Sequence, residues 1–280
     1  SEPLDTPSPV RRRAARNPHS PVMVVATVVA TLGVLAYAWF LLNPANRGDL
    51  LPWLLVIVAE VVLVFHALMA MWTVLAGRTN PRGWAFYAAQ RELYGADGVR
   101  PDDHAAPLHL DGRPTSVDVL ITVYGEPIDV IRRTAEAAIA IRGEHKTWLL
   151  DDGNSDAVRD LAAELECGYI RRLTNHGAKA GNVNNALTIA KGEFFVILDA
   201  DFVAHPEFLE ETLPFMQDAS VAFVQTPQTY GNLRTIISRG AGYMQTMFYR
   251  FIQPGRNQFN AAFCVGTNVL FRREAVLEVG

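Results

Sequence analysis

Twenty-two consecutive residues, Pro21 to Leu42 (PVMVVATVVATLGVLAYAWFLL), carry no charge. At 1.5 Å per residue a helix of that length crosses a hydrocarbon core about 30 Å thick. A second apolar run, Leu50 to Ala76, holds only Glu60 and His66 as ionisable groups. Each run is too long for a typical buried core helix, and the first exceeds the roughly 7–15 apolar residues of a cleaved signal segment. The pair therefore predicts two transmembrane helices over 21–76. Trp39, Trp53 and Trp72 fall near the predicted ends, where interfacial aromatics sit. Glu60 and His66 inside a span mark either a partner helix or a polar pathway, because burying them in lipid is costly.

Arginines set the expected orientation. Arg11, Arg12, Arg13 and Arg16 precede the first span, and Arg78, Arg82 and Arg91 follow the second, whereas Asn43–Asp49 contains only Arg47. The positive-inside rule then places both flanks in the cytoplasm and the connector outside. The expected location is the plasma (inner) membrane, with the remainder of the chain cytoplasmic. Residues 1–20, rich in Pro, Ser and Arg, read as a disordered basic tail. Residues 77–114 lack a clean period and read as an interfacial linker, in which Trp84, Phe86, Tyr87 and Leu93 would form an amphipathic helix on the membrane surface.

Composition narrows the rest. Half the residues are hydrophobic and 19% are charged, too apolar for a disordered chain. The net charge of −4 argues against a nucleic-acid binder, so no nucleic-acid partner is expected. Two cysteines, Cys167 and Cys264, cannot make a disulfide scaffold, and in the cytosol both should be thiols.

From about residue 115 onward, short apolar runs alternate with helical periods. Val117–Tyr124, Thr147–Leu150, a weak Tyr169-Ile170, Phe194–Leu198 and Val221–Val224 read as strands. Ile128–Ile141, Ser155–Glu166, Ala180–Ala190 and Pro206–Met216 read as helices, with Ser155 as a capping residue. Such alternation predicts an α/β domain over 115–280: a Rossmann-like, mostly parallel sheet with helices on both faces.

Ligands of such sheets bind beyond the carboxyl ends of the strands. Three strands end in polar or acidic residues, at Thr122-Val123-Tyr124-Gly125-Glu126, Asp151-Asp152-Gly153 and Asp199-Ala200-Asp201. Alone, an Asp-x-Asp is an ordinary loop or cap, an Asp-Asp-Gly-Asn is a tight turn, and Glu126 is a solvated carboxylate. Together at successive strand ends they crowd negative charge on one rim, which calls for something positive there. A divalent cation with a bound phosphate meets that need, and oxygen ligands suit Mg2+ or Mn2+. His176-Gly177-Ala178-Lys179-Ala180-Gly181-Asn182 adds a cation beside two glycines at a helix start, which suits phosphate; it is not a P-loop, because the spacing differs.

These residues carry a resemblance. TVYGE (122–126), LLDDGN (149–154), HGAKAGNVN (176–184), ILDADF (197–202), VQTPQ (224–228) and NAAFCVGTNVLFRR (260–273) occur in one order. Val117–Arg273 resembles the catalytic domain of inverting family 2 glycosyltransferases, and within them the processive membrane branch that includes bacterial cellulose synthases. The resemblance implies a GT-A type fold and transfer of a sugar, glucose by family weight, from a UDP-sugar to a growing polysaccharide. It implies that Thr122, Tyr124 and Glu126 hold the uridine, that Asp151 contacts the base with Asp152 beside it, and that Lys179 lies near the diphosphate. Asp199 and Asp201 match the pair that engages the nucleotide sugar and its metal, Mg2+ or Mn2+. Phe263, Cys264, Gly266 and Thr267 resemble an acceptor-side FFCGS-type loop, departing from it at Cys264, Val265 and Thr267.

The family's general base, an Asp in a TED-type motif, lies beyond that loop, followed by a QxxRW motif and further spans. The sequence reaches Gly280 without them. The expectation is therefore a fragment of a longer synthase, inactive by itself, that works with a polysaccharide or lipid-linked acceptor and with additional synthase subunits. A single-transfer enzyme acting on a lipid carrier, a non-catalytic nucleotide-sugar binder and, more weakly, a nucleotidyltransferase share the donor-side features.

Overall fold

The computed structural model describes residues 21–77, 81–95, 104–231 and 233–279. The basic tail and Arg78 lie outside the described residues. The chain divides into two compact units. One contains the residues up to Pro81 together with Thr229–Ala262; the other contains Arg82–Gln228 and Phe263–Gly280. This differs from the boundaries expected from sequence, since 229–262 groups with the apolar helices and 82–114 with the sheet.

In the first unit, α1 (Pro21–Leu42) and α2 (Leu50–Ala76) form a helical hairpin joined through a short 3-10 turn at Pro44–Asn46. Both helices are long and apolar enough to cross a membrane, and neither has a buried residue. A soluble core helix would hide its side chains, whereas Val22, Trp39 and Leu51 are more than two-thirds exposed. Backbone groups satisfied within each helix suit such a surface to lipid. Thr31 Oγ1 donates to Met71 Sδ across the hairpin (3.0 Å). His66 Nδ1 lies 2.7 Å from the Val62 carbonyl of its own helix.

In the second unit, α3 (Trp84–Glu92) is amphipathic as expected, and part of its apolar side is covered by protein while Trp84 and Tyr87 stay exposed. Phe86 and Ala89 are buried, Leu93 joins the sheet core, and the Phe86 ring packs on Phe215 with centroids 4.6 Å apart. Of the four residues expected to face the membrane surface, Phe86 and Leu93 are instead packed in the protein, and Trp84 and Tyr87 are exposed. The apolar spacing was right; it serves the domain core. A hairpin of β1 (Leu108–Leu110) and β2 (Arg113–Thr115), not foreseen, follows it.

The six-stranded sheet has the order β5-β4-β3-β6-β8-β7. Its parallel part is β3 (Val117–Val123), β4 (Lys146–Asp151), β5 (Gly168–Arg171) and β6 (Phe194–Asp199). Alternate residues of these strands enter two apolar clusters. Val119, Ile121, Val196 and Leu198 face one side, and Leu120, Leu150, Phe195 and Ile197 the other. The first side is covered by α4 (Ile128–Ile139) and α5 (Asp156–Glu164), through Ile131, Ala135, Val158 and Leu161. The second is covered by α6 (Ala178–Ala186), through Val183 and Ala186. Burial on both faces explains why the strands read as unbroken apolar runs; each such side chain contributes about 1.5–3 kcal/mol.

The predicted helix over Pro206–Met216 is a short α7 (Phe208–Thr212) followed by a 3-10 turn, Leu213–Gln217. Pro214 lacks the N–H that an α-helix needs there. The strand expected at Val221–Val224 is β7 (Phe223–Gln225). In the first unit, α8 (Ile236–Met247), a π-helical turn (Phe248–Ile252) and α9 (Gln253–Asn257) run on continuously. The sheet is completed by β8 (Val269–Arg272), followed by α10 (Arg273–Val279). β8 runs antiparallel to both β6 and β7, so five strands share one direction and only β8, inserted between β6 and the edge strand β7, is reversed.

Glu210, fully buried in α7, anchors this unit. Arg142 grips it through two bonds of 2.7 and 2.9 Å, Tyr94 donates its hydroxyl, and Gln90 donates to its carbonyl. Arg142→Met is expected to destabilise the unit by about 3–5 kcal/mol, because it strands a buried carboxylate. Thermal unfolding of the purified protein checks this, and an unchanged melting temperature refutes it.

Candidate functional site

The strand order creates the site. The chain moves outward from β3 to β4 to β5 with helices on one face, then returns through α6 on the other face to place β6 on the far side of β3. At such a switch point the following helices diverge, and a crevice opens beyond the strand ends. Thr122 pairs with Asp199, and Val123 with Asp151, so the three acidic strand ends share one rim.

Asp199 is where separate elements meet. Lys179, on the first turn of α6, forms an ion pair with its Oδ1, and Thr122 of β3 donates to the same oxygen (3.2 Å). The Asp199 backbone N–H donates to the hydroxyl of buried Thr267, in the loop before β8 (2.9 Å). Two positions along, Asp201 is exposed and has no hydrogen bond or ion pair to any described residue.

The Asp151-Asp152 turn is built differently from its first reading. Asp151 is fully buried, and its carboxylate accepts from the Gly153 and Ser155 N–H groups (2.8 Å each) and from the Tyr169 hydroxyl (2.7 Å). Ser155 stands at the N-cap of α5, but its side chain makes no capping bond. Asp152 is held by both arms of Arg172, at 2.5 and 2.6 Å, and this bonding raises the arginine's already high pKa. Glu126 accepts from the Tyr124 N–H (2.7 Å), leaving the Tyr124 ring exposed on the rim.

The crowding argument for a cation is thereby corrected in part. Arg172, Lys179 and backbone N–H groups already compensate most of the acidic residues. What remains open to a cation is Asp201 with the second oxygen of Asp199.

On the loop before β8, expected from the resemblance to face an acceptor, Phe263 and Cys264 are exposed, Gly266 is half-buried and Thr267 is buried. Gln225, at the end of β7, braces this loop by accepting from the Val265 N–H (2.9 Å) and donating to the Thr267 carbonyl (2.9 Å). Sequence reasoning quoted the VQTPQ segment without assigning Gln225 a role, and it passed over Arg172 and Tyr169. Their signal was faint, being two polar residues around a four-residue strand. A depression at the opposite end of β6, lined by Glu193, Arg273, Glu274, Leu277 and Glu278, uses none of the predicted site residues.

A mostly parallel sheet that gathers an Asp-Asp turn, a helix-borne lysine and an Asp-x-Asp at its switch point is a GT-A type glycosyltransferase fold. Residues 118–280 match the family described as glycosyl transferase family 2, and the chain belongs to that family. It is 35% identical over 209 residues to a cellulose synthase catalytic subunit (UDP-forming) of Pseudomonas fluorescens (strain SBW25), covering 70% of this chain and 28% of that one. It is 36% identical over 184 residues to the subunit of the same description from Xanthomonas axonopodis pv. citri (strain 306), covering 62% and 25%. The chain thus spans less than a third of the length of the curated relatives it matches. Among solved structures, the mannosyltransferase PcManGT from Pyrobaculum calidifontis, in complex with GDP-Man and Mn2+, is 17% identical with a TM-score of 0.47. That match covers 92% of this chain and 58% of the other, and it is too loose a superposition to argue from.

Both cysteines are free thiols. Burial pushes Cys167 up to about 11, whereas Cys264 is exposed on the loop. A maleimide at neutral pH should therefore modify Cys264 roughly 10-fold or more faster than Cys167. Cys264→Ser should abolish the fast phase; equal rates would contradict the placement.

Proposed function

We propose that the chain carries the donor site of a membrane-bound transferase that moves a sugar, glucose in the first instance, from a UDP-sugar to a growing polysaccharide with inversion. The observation that carries this is the convergence of Thr122, Lys179 and Thr267 on Asp199, beside the Asp151-Asp152 turn and the free Asp201. The named relatives support the donor and the polymer, since both are described as UDP-forming cellulose synthase subunits.

The exposed Tyr124 ring and Thr122 receive the uridine, and Glu126 holds the Tyr124 backbone in place. Asp151 and Asp152 shape the loop on which the base rests. Lys179 supplies a point charge for the diphosphate at a helix N-terminus. The carboxylates of Asp201 and Asp199 are hard oxygen donors that fit Mg2+ or Mn2+. Among the described residues no group of three or more metal-ligating side chains exists, so phosphate oxygens and water would complete the shell. When bound, such an ion supplies positive charge against the diphosphate. Lys179 does the same from the protein side, countering charge that builds on the leaving group. Fixing the nucleotide orients the sugar for attack by a hydroxyl held near Phe263–Thr267.

The two apolar helices support a position in the plasma (inner) membrane, and the arginine distribution favours both flanks being cytoplasmic with 43–49 outside. A cysteine substituted for Arg47 should label from outside intact cells; labelling only after lysis reverses the topology. At the donor site, Asp201→Ala should lose most of the Mn2+-dependent gain in UDP affinity, roughly 10-fold or more, with folding intact. Isothermal titration with and without Mn2+ checks this. An unchanged gain removes Asp201 from its assigned role.

A further inference from the structure

Arg172 touches more of the rim than any mechanism so far requires. Its guanidinium grips Asp152 with two arms and also donates to the carbonyls of His176 (2.6 Å) and Ala178 (2.8 Å). Its side chain is only 11% exposed, and that of Asp152 only 6%. One planar fork therefore joins the turn after β4 to the chain that enters α6, and a planar five-donor group is the side chain suited to that task.

The joined segment is conformationally demanding. Gly177 and Ala178 both take left-handed backbone angles, φ 73° and 44°, immediately before Lys179. The second of these is costly for a residue with a side chain, and the carbonyls of this segment are what Arg172 holds. Gly181 leaves the room: a Cβ there would collide with the His176 carbonyl and come within 2.7 Å of the Arg172 guanidinium. A second tie acts in parallel, where buried Asn182 donates its amide to the Leu150 carbonyl, one residue before Asp151 (3.0 Å). Lys179 sits between these fastenings and points its ammonium at Asp199.

We propose that Arg172 is a positioning residue for the diphosphate: by clamping Asp152 to the carbonyls of His176 and Ala178, it fixes the first turn of α6 and so sets Lys179 relative to Asp199. The inference rests on the donor-site reading above. Arg172 acts through Lys179 and has no contact of its own with the nucleotide. It governs how well the protein discriminates a nucleoside diphosphate from the bare nucleoside.

The test measures UDP and uridine affinities by titration calorimetry on the intact protein in detergent, for wild type, Arg172→Met, Lys179→Ala and the double variant. Arg172→Met should weaken UDP about 10- to 100-fold, as loss of a partner behind a binding group does, and weaken uridine several-fold less than UDP. In the Lys179→Ala background, the Arg172 substitution should cause no further loss for UDP. Equal weakening of both ligands, or losses that multiply in the double variant, would overturn the proposal. If Arg172→Met does not fold, Arg172→Lys, which keeps the charge and loses the fork, is read on the same two ligands. It should reduce the UDP preference, and an undiminished preference counts against the clamp. A wild-type protein that binds UDP no better than uridine sinks the donor-site reading as well. A wild-type preference that survives loss of the fork sinks only the role of Arg172.

Discussion

Negative charge gathered at the end of a parallel sheet is the constraint around which the rest of the sheet unit is arranged. Strands buried on both faces must be apolar along their length, so polar groups can collect only where the strands stop. Here five carboxylates collect there, and four of them are each compensated by a different element. Asp151 is compensated by its own loop and Tyr169, Asp152 by Arg172, Asp199 by Lys179, and Glu126 by a backbone N–H. The compensation is structural first, since it fixes two loops and the start of a helix. Chemical capacity is what remains when those bonds are counted: an exposed Asp201, a second oxygen on Asp199, and an exposed aromatic ring.

Much of this was legible in the sequence because the relevant signals are local. An apolar run followed at once by Asp-x-Asp or Asp-Asp-Gly marks a strand end without knowledge of its neighbours, and the structure places those ends on adjacent strands. The helical hairpin was equally plain, since only length and absence of charge were needed.

What stayed hidden depends on contacts between distant segments. Arg172 looked like one more basic residue after a weak strand, because its partners, Asp152 and the carbonyls of His176 and Ala178, are revealed only by the turn geometry. The apolar stripe of α3 showed in its spacing, but spacing cannot say whether lipid or protein covers it; Phe215, far along the chain, covers Phe86. The antiparallel β8 was missed for a similar reason. Its apolar residues read the same in either direction, and its pairing with β6 and β7 fixes which is used. The grouping of 229–262 with the apolar helices left no local mark, since its exposed Ile236, Ile237, Tyr243 and Met244 are too few to resemble a span.

The hydroxyl of Thr267 receives the main-chain N–H of Asp199 and belongs to the same short loop as Phe263 and Cys264. A molecule that shifts this loop must either drag the Asp199 backbone along or break that bond. Serine at 267 would keep that oxygen in place and valine would remove it, leaving the Asp199 N–H without its acceptor.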